Sequence, residues 1–374
     1  MPCDRCEEYR TEGSRFCPFC GEEFRDDCPQ CEEFRSNGSA FCGSCGKRFT
    51  VEAPVRKPQG LRHALGRASV LIALAVGIML AIETAFLVAG TFTVWDWAAD
   101  KSMNILGLVP NLVIITTISG LGVQLMWIFL EVSILASLAL LLWRSKEAMS
   151  GEGDLVERVG RTPLYTVAYM FGVSLILNFI VIGISTALGE PITVPDGMDN
   201  GNTPESLLSY ADAAVWEEII TRMVYIGIPM VVAGYVCGRK GSWKNLLGGF
   251  GMSRLAVVLI IVSAVIFGFA HMSGWGISKV APTFLAGLIM GYLYVKIGIH
   301  ASIMMHFITD YLAVIAFTGL VGIVALLELV IILLGVICFI HLLMRLRTLP
   351  QDLREMPNWM PTVQESIFSR RDRD

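Results

Sequence analysis

The chain has 374 residues, of which 54% are hydrophobic and only 17% charged, with a formal net charge of -4. A mean hydropathy of +0.61 and recurrent apolar runs of roughly 18 residues or more exclude an ordinary soluble domain and point to an all-α polytopic membrane protein. The net charge says little about partners, because charged residues are confined largely to the ends and loops.

The N-terminus is different in kind. Eight of the ten cysteines fall in the first 45 residues as four Cys-x-x-Cys knuckles: Cys3/Cys6, Cys17/Cys20, Cys28/Cys31 and Cys42/Cys45. Ten residues separate the knuckles in each half, and the halves repeat with a period of 25, CEEYRTEGSRFC aligning with CEEFRSNGSAFC. A Cys-x-x-Cys turn aims two thiolates at one ion, and two such turns complete a tetrahedron, so the eight cysteines are expected to hold about two structural zinc ions. Each half is too small to fold around a core of its own, which makes zinc binding and folding one event. A disulfide framework is the competing use of these cysteines. The paired knuckles and the lack of a secretory signal before the first apolar run, near Ser69, favour zinc. The module resembles a double zinc ribbon. Its first 50 residues carry ten acidic and seven basic side chains, which disfavours nucleic acid and leaves a structural or protein-binding head. Residues 51–67, with Pro54, Pro58 and several cations, are expected to be a basic linker.

Eight transmembrane helices are expected at roughly 69–92, 121–143, 164–188, 213–236, 254–272, 279–297, 300–318 and 321–344. Residues 105–118 are apolar but short and interrupted by Pro110 and Asn111, which suggests an interfacial or re-entrant piece or a ninth span. Lys and Arg cluster before the first helix and after the second, fourth and eighth, whereas residues 189–212 hold acids and no cation. By the positive-inside rule both termini are expected in the cytoplasm, with the protein integral to the cell membrane. Residues 68–160 then form N-terminal membrane helices, 161–345 a membrane core and 346–374 a polar, loosely ordered tail. Cys237 and Cys338, inside apolar helices, read as small buried hydrophobes.

Ionisable residues in three of these helices need a reason, since a charge at the bilayer centre costs about 2.5–3.5 kcal/mol on insertion scales. Glu217, Glu218 and Arg222 stand on the fourth helix, Phe267 and His271 on the fifth, and His306 and Asp310 on the seventh. Glu218 and Arg222 are i and i+4 and can pair, which leaves Glu217, rotated by about 100° on an α-helix, for another partner. His306 and Asp310 are also i and i+4, and Phe267 lies one turn before His271. A desolvated glutamate is a competent general base near neutral pH, and histidine can orient water, shuttle a proton or donate to an oxyanion. The bland alternative is that these groups only pair helices. One Glu and two His could also hold a catalytic zinc, although the short His-x-x-x-His spacing of common zinc peptidases is missing. His300, at the start of its helix, is read as interfacial, and Gly287 and Gly291 as a close helix contact.

The three motifs EExxxR (Glu217–Arg222), FxxxH (Phe267–His271) and HxxxD (His306–Asp310), in that order, resemble those of the CPBP family of CAAX proteases and bacteriocin-processing proteins, also called the ABI family, over roughly residues 160–345. The resemblance implies a metal-independent glutamic intramembrane endopeptidase. Glu217 and His271 would activate the attacking water, His306 and Asp310 would sit at the oxyanion, and Glu218, Arg222 and Phe267 would support them. Many members carry Asn where this chain has Asp310. An ionised Asp accepts but does not donate hydrogen bonds, so Asp310 would be protonated or would orient His306. The expected partners are the lipid bilayer, a protein or peptide substrate that could be lipidated, and a protein partner for the ribbon. A non-catalytic scaffold or sensor of the same fold, using the ribbon to bind partners, is the competing reading; a transporter lacks the inverted repeat it would need.

Overall fold

With no water to satisfy the backbone, an apolar run in a bilayer closes its hydrogen bonds within itself, as a helix. The protein, represented by a computed structural model, is described for residues 20, 31–36, 61–109, 111–191, 203–238, 242–315, 321–347 and 349–358. It divides into two units, Met1–Gly60 and Leu61–Asp374. In the first, Cys20 lies in a turn and Cys31 opens the short helix Cys31–Ser36. Cys3, Cys6, Cys17, Cys28, Cys42 and Cys45 lie outside the described residues.

The second unit begins with α1 (Leu61–Ala89) and the short α2 (Thr91–Ala98), followed by strands β1 (Ser102–Val109) and β2 (Asn111–Ser119). Helices α3 (Leu121–Met149), α4 (Leu155–Gly160) and α5 (Pro163–Ala187) come next. The 34-residue α6 (Thr203–Val236) leads through a 3-10 turn at Ser242–Leu247 to α7 (Arg254–Ala270). The unit closes with α8 (Val280–Lys296), α9 (Ile299–Ile315), α10 (Val321–Leu346) and α11 (Leu349–Glu355). Starts are set by side chains that accept otherwise orphaned amides. Thr162 caps α5 through Tyr165 N at 3.0 Å, with Pro163 in the first turn, and Ser253 caps α7 through Ala256 N at 3.1 Å.

Among the described residues, seven helical spans are long and apolar enough to cross a membrane: those within α1, α3, α5, α6 and α10, together with Arg254–Trp275 and Ile277–Lys296, which extend α7 and α8 to 22 and 20 residues. The eighth expected span corresponds to α9, whose 17 residues are too few by length, residues 316–320 lying outside the described set. Helix α9 is the centre of the unit. It packs against α1, α3, α5, α6 and α8, and residues 300–308 are all buried. A helix enclosed on every side presents side chains to partners rather than to lipid, so its His306 and Asp310 stand in the interior of the bundle.

Three details differ from expectation. Residues 105–109 and 111–118 lie in the two strands of an antiparallel hairpin, Ser102 pairing with Ser119 and Val109 with Asn111, with a bulge between Ile105 and Leu106. The β-branched run VIITTI in β2 suits a pleated strand. Residues 349–358, expected as part of a loose tail, are docked. The carbonyls of Leu353 and Arg354 accept from the Arg254 guanidinium at 3.2 and 2.8 Å, and those of Pro357 and Asn358 accept the amides of Arg254 and Leu255. The first amides of α7 lack partners inside their own helix, and the tail supplies them. Cys237 is exposed at the end of α6, whereas Cys338 is buried as expected.

Small residues set the helix spacing. A Cβ added at Gly287 would meet Ala264 Cα at 3.0 Å, and one at Gly291 would meet Ile260 Cγ2 at 2.9 Å, so this pair does bring α8 against α7. Gly172 of α5 and Gly335 of α10 touch backbone to backbone, with an added Cβ at Gly335 only 2.6 Å from the Gly172 carbonyl oxygen. Gly335→Val is expected to destabilise the bundle by roughly 1–3 kcal/mol through overpacking, read as a lower melting temperature in detergent. Gly183→Val, which meets nothing within 4 Å, should leave it nearly unchanged.

Candidate active site

The site starts from an irregular helix. Between Thr203–Asp212 and Ile228–Val236, α6 is π-helical over Ala213–Glu217 and Ile219–Gly227. Such i→i+5 stretches are rare and concentrate at functional positions. Here they bracket Glu218. The Thr221 hydroxyl binds the Glu217 carbonyl at 2.5 Å, and the Trp216 indole donates to Leu106 O of β1 at 2.8 Å.

Glu218 is wholly enclosed and fully engaged. Arg222 reaches it through Nε–Oε2 at 3.1 Å and a second nitrogen to Oε1 at 3.4 Å. From α9, His306 Nδ1 lies 3.1 Å from Oε1, and the Ser302 hydroxyl donates to Oε2 in a short contact. The remaining face of Arg222 donates to Ser263 Oγ of α7 at 2.9 Å, and Ser263 in turn donates to Thr221 O at 2.6 Å. Six residues from three helices thus share one buried network.

Glu217 faces elsewhere. Its side chain is 25% exposed against 0% for Glu218, and its Oε2 has no hydrogen-bond partner among the described residues. Facing it at 3.8 Å is His271 Nε2, too long for a direct hydrogen bond. Helix α7 ends at His271, where Nδ1 lies 2.9 Å from the Phe267 carbonyl. A carbonyl only accepts, so Nδ1 carries the hydrogen, and a neutral ring turns the lone pair of Nε2 toward Glu217. Two acceptors then face each other across a gap that calls for a shared donor.

Asp310 Oδ2 lies 3.3 Å from His306 Nε2. With a carboxylate at each ring nitrogen, His306 donates from both and is the cation between two acids. Phe267 fixes the two imidazoles relative to one another. Its ring centroid is 4.7 Å from that of His271 and 6.0 Å from that of His306, both edge-on, and Arg222 sits over its face at 5.3 Å. All seven residues singled out in the sequence therefore meet in one place. Among the described residues, no three His, Cys, Asp or Glu side chains are grouped as ligands of one metal ion. His300, read as interfacial, is buried at the start of α9 and stands outside the cluster.

Several participants escaped the sequence reading. Ser302, Ser263 and Thr221 are common residues whose role depends on tertiary contact. Glu83 on α1 and Glu131 on α3 are buried acids that stand out in apolar runs, and that signal was available. Glu131 accepts from Thr91 at 2.6 Å, whereas both carboxyl oxygens of Glu83 lack a hydrogen-bond partner among the described residues. Removal of Arg222 leaves Glu218 charged and enclosed. Arg222→Met is expected to cost roughly 3–5 kcal/mol, as for other broken buried pairs, and the added change Glu218→Gln should recover much of it. Thermal unfolding of the detergent-solubilised variants measures both.

Two family models match the chain. Residues 201–312 match the one described as type II CAAX prenyl endopeptidase Rce1-like, and residues 3–46 match the double zinc ribbon. No curated protein and no solved structure matches it. The first match contains every member of the Glu217–Asp310 cluster; the second contains all eight knuckle cysteines. Residues 201–312 are thus similar to the Rce1-like CAAX prenyl endopeptidases, and residues 3–46 to the double zinc ribbons.

Proposed function

We propose that the chain hydrolyses a peptide bond within the membrane, using water activated jointly by Glu217 and His271. The observation that carries this reading is the pair of acceptors, Glu217 Oε2 and His271 Nε2, aimed at each other across 3.8 Å. A water beside them donates one hydrogen to each and turns its oxygen lone pairs toward a substrate carbonyl. On attack, the carbon–oxygen bond forms and a proton passes to Glu217. The carbonyl oxygen becomes an oxyanion in the field of His306, held by Asp310 on one side and Glu218 on the other. Glu217 then delivers its proton to the leaving amine as the C–N bond breaks. This is general acid–base catalysis by one carboxyl in two steps, with electrostatic stabilisation of the intermediate. Asp310 orients His306 and does not itself donate. The buried network around Glu218 holds the helix that carries Glu217.

The matched family model is named for prenyl endopeptidases, so a farnesylated peptide is the first substrate to try. A proteomic comparison of cells carrying wild type and Glu217→Gln extends the search to other membrane-anchored proteins, through peptides that accumulate uncut. Glu217→Gln and His271→Ala are each expected to lower kcat by about 10²–10⁴-fold, with melting temperature and elution volume close to wild type. Undiminished cleavage by either variant would overturn the mechanism.

The ribbon is read as a structural head holding about two zinc ions, one per set of four cysteines, and as a docking point for a protein partner. Elemental analysis of the full-length protein should find that stoichiometry. Cys17→Ser is expected to remove about one ion, and His271→Ala none.

A further inference from the structure

The hairpin β1–β2 is not accounted for by the chemistry above. It leaves the end of α2 and returns to α3 through a closing bond from Gly120 N to Lys101 O at 2.9 Å. β1 lies against α6 and α7, and β2 against α7 and α3. Leu106 O accepts the indole of Trp216, which immediately precedes Glu217 near the middle of the 34-residue span α6. The bulge beside Leu106 is of the kind that re-aims strands near functional sites.

The outer strand is unusual for this setting. Val113, Ile114, Ile115, Thr116 and Thr117 are all exposed, so both faces of β2 are open there. The sheet has two strands, so among the described residues β2 pairs on one side only. An unpaired strand edge is a template for another chain. Beside lipid tails such an edge is not tolerated, and irregular or open backbone at membrane depth occurs where it lines a wet cavity or meets protein. The hairpin is tethered through Leu106 of β1 to Trp216, one residue from the proposed base, and presents on β2 an apolar, β-branched edge suited to a polypeptide partner.

We propose that the peptide substrate binds as an extended third strand on β2, its backbone paired to the open edge and its scissile bond carried to Glu217 and His271. This rests on the endopeptidase reading above. Main-chain pairing supplies affinity with little demand on sequence, while alternate side chains meet the apolar surface of the hairpin. The predicted occupant is a segment without proline and unfolded from helix before cleavage.

Photo-crosslinking residues placed singly at Thr117 and Ser119 of full-length Glu217→Gln, in its native membrane, test the idea. Proteins found to accumulate uncut in Glu217→Gln cells should be captured at both positions. The two attachment points should fall two residues apart on the same substrate segment, the signature of strand register. Accumulating proteins that fail to crosslink at either position, or that crosslink without this spacing, would overturn strand addition while leaving the protease reading intact. Adducts only to lipid or to a second copy of the hairpin would likewise overturn it. If no protein accumulates uncut, the endopeptidase reading fails first, and strand addition falls with it.

Discussion

A carboxylate with no exposure to solvent, held among apolar helices, is the constraint around which the membrane unit is arranged. Glu218 is stable there only because two nitrogens of Arg222, the Nδ1 of His306 and the hydroxyl of Ser302 meet its two oxygens. Isolated charges are expelled from such surroundings, whereas saturated ones act as fixed joints. This joint ties α6 to α9 directly and to α7 through Ser263. The enclosure of α9 on all sides and the glycine-mediated contact of α7 with α8 keep the three elements close enough for it to form.

The two neighbouring glutamates consequently do different work. Glu218 is spent on architecture. Glu217, one position away, keeps an oxygen free of hydrogen-bond partners among the described residues and a side chain that is partly exposed. The same division holds for the histidines. His306 is locked between Glu218 and Asp310, and His271 keeps one nitrogen uncommitted because the other is used to finish its own helix at Phe267 O. The groups proposed to react sit at the edge of a rigid network, which is the arrangement that preorganised catalysis requires.

Much of this was legible in the sequence, for definable reasons. Intramembrane charges are rare enough that Glu217, Glu218, Arg222, His271, His306 and Asp310 stand out individually, and i,i+4 spacing foretells the Glu218–Arg222 and His306–Asp310 pairs. The ribbon is written in its cysteine spacing. Other parts depend on contacts that no local pattern encodes. Ser302 and Ser263 become polar partners only after α7 and α9 meet α6. A short apolar run interrupted by a proline reads as an interfacial or re-entrant piece or a span, and only the backbone pairing of β1 with β2 makes it a hairpin. Residues 349–358 look like a polar tail until the unpaired amides of α7 give them something to cap. Glu83 and Glu131 were visible by the same argument as Glu217, but neither belongs to a motif.

The π-helical stretch in α6 also governs how the chain can change in length. A π turn spends one more residue than an α turn to close its hydrogen bond, so Ile219–Gly227 contains slack. Loss of one residue beyond Arg222 can be absorbed by tightening that stretch to α-helix, leaving the acids and the guanidinium in register with α7 and α9. Loss of one residue between Glu218 and Arg222 cannot, because it moves the cation off its partner. Deletions along this helix should therefore be tolerated beyond Arg222 and lethal to the fold between Glu218 and Arg222, an asymmetry that length variation in natural or engineered versions of the helix would reveal.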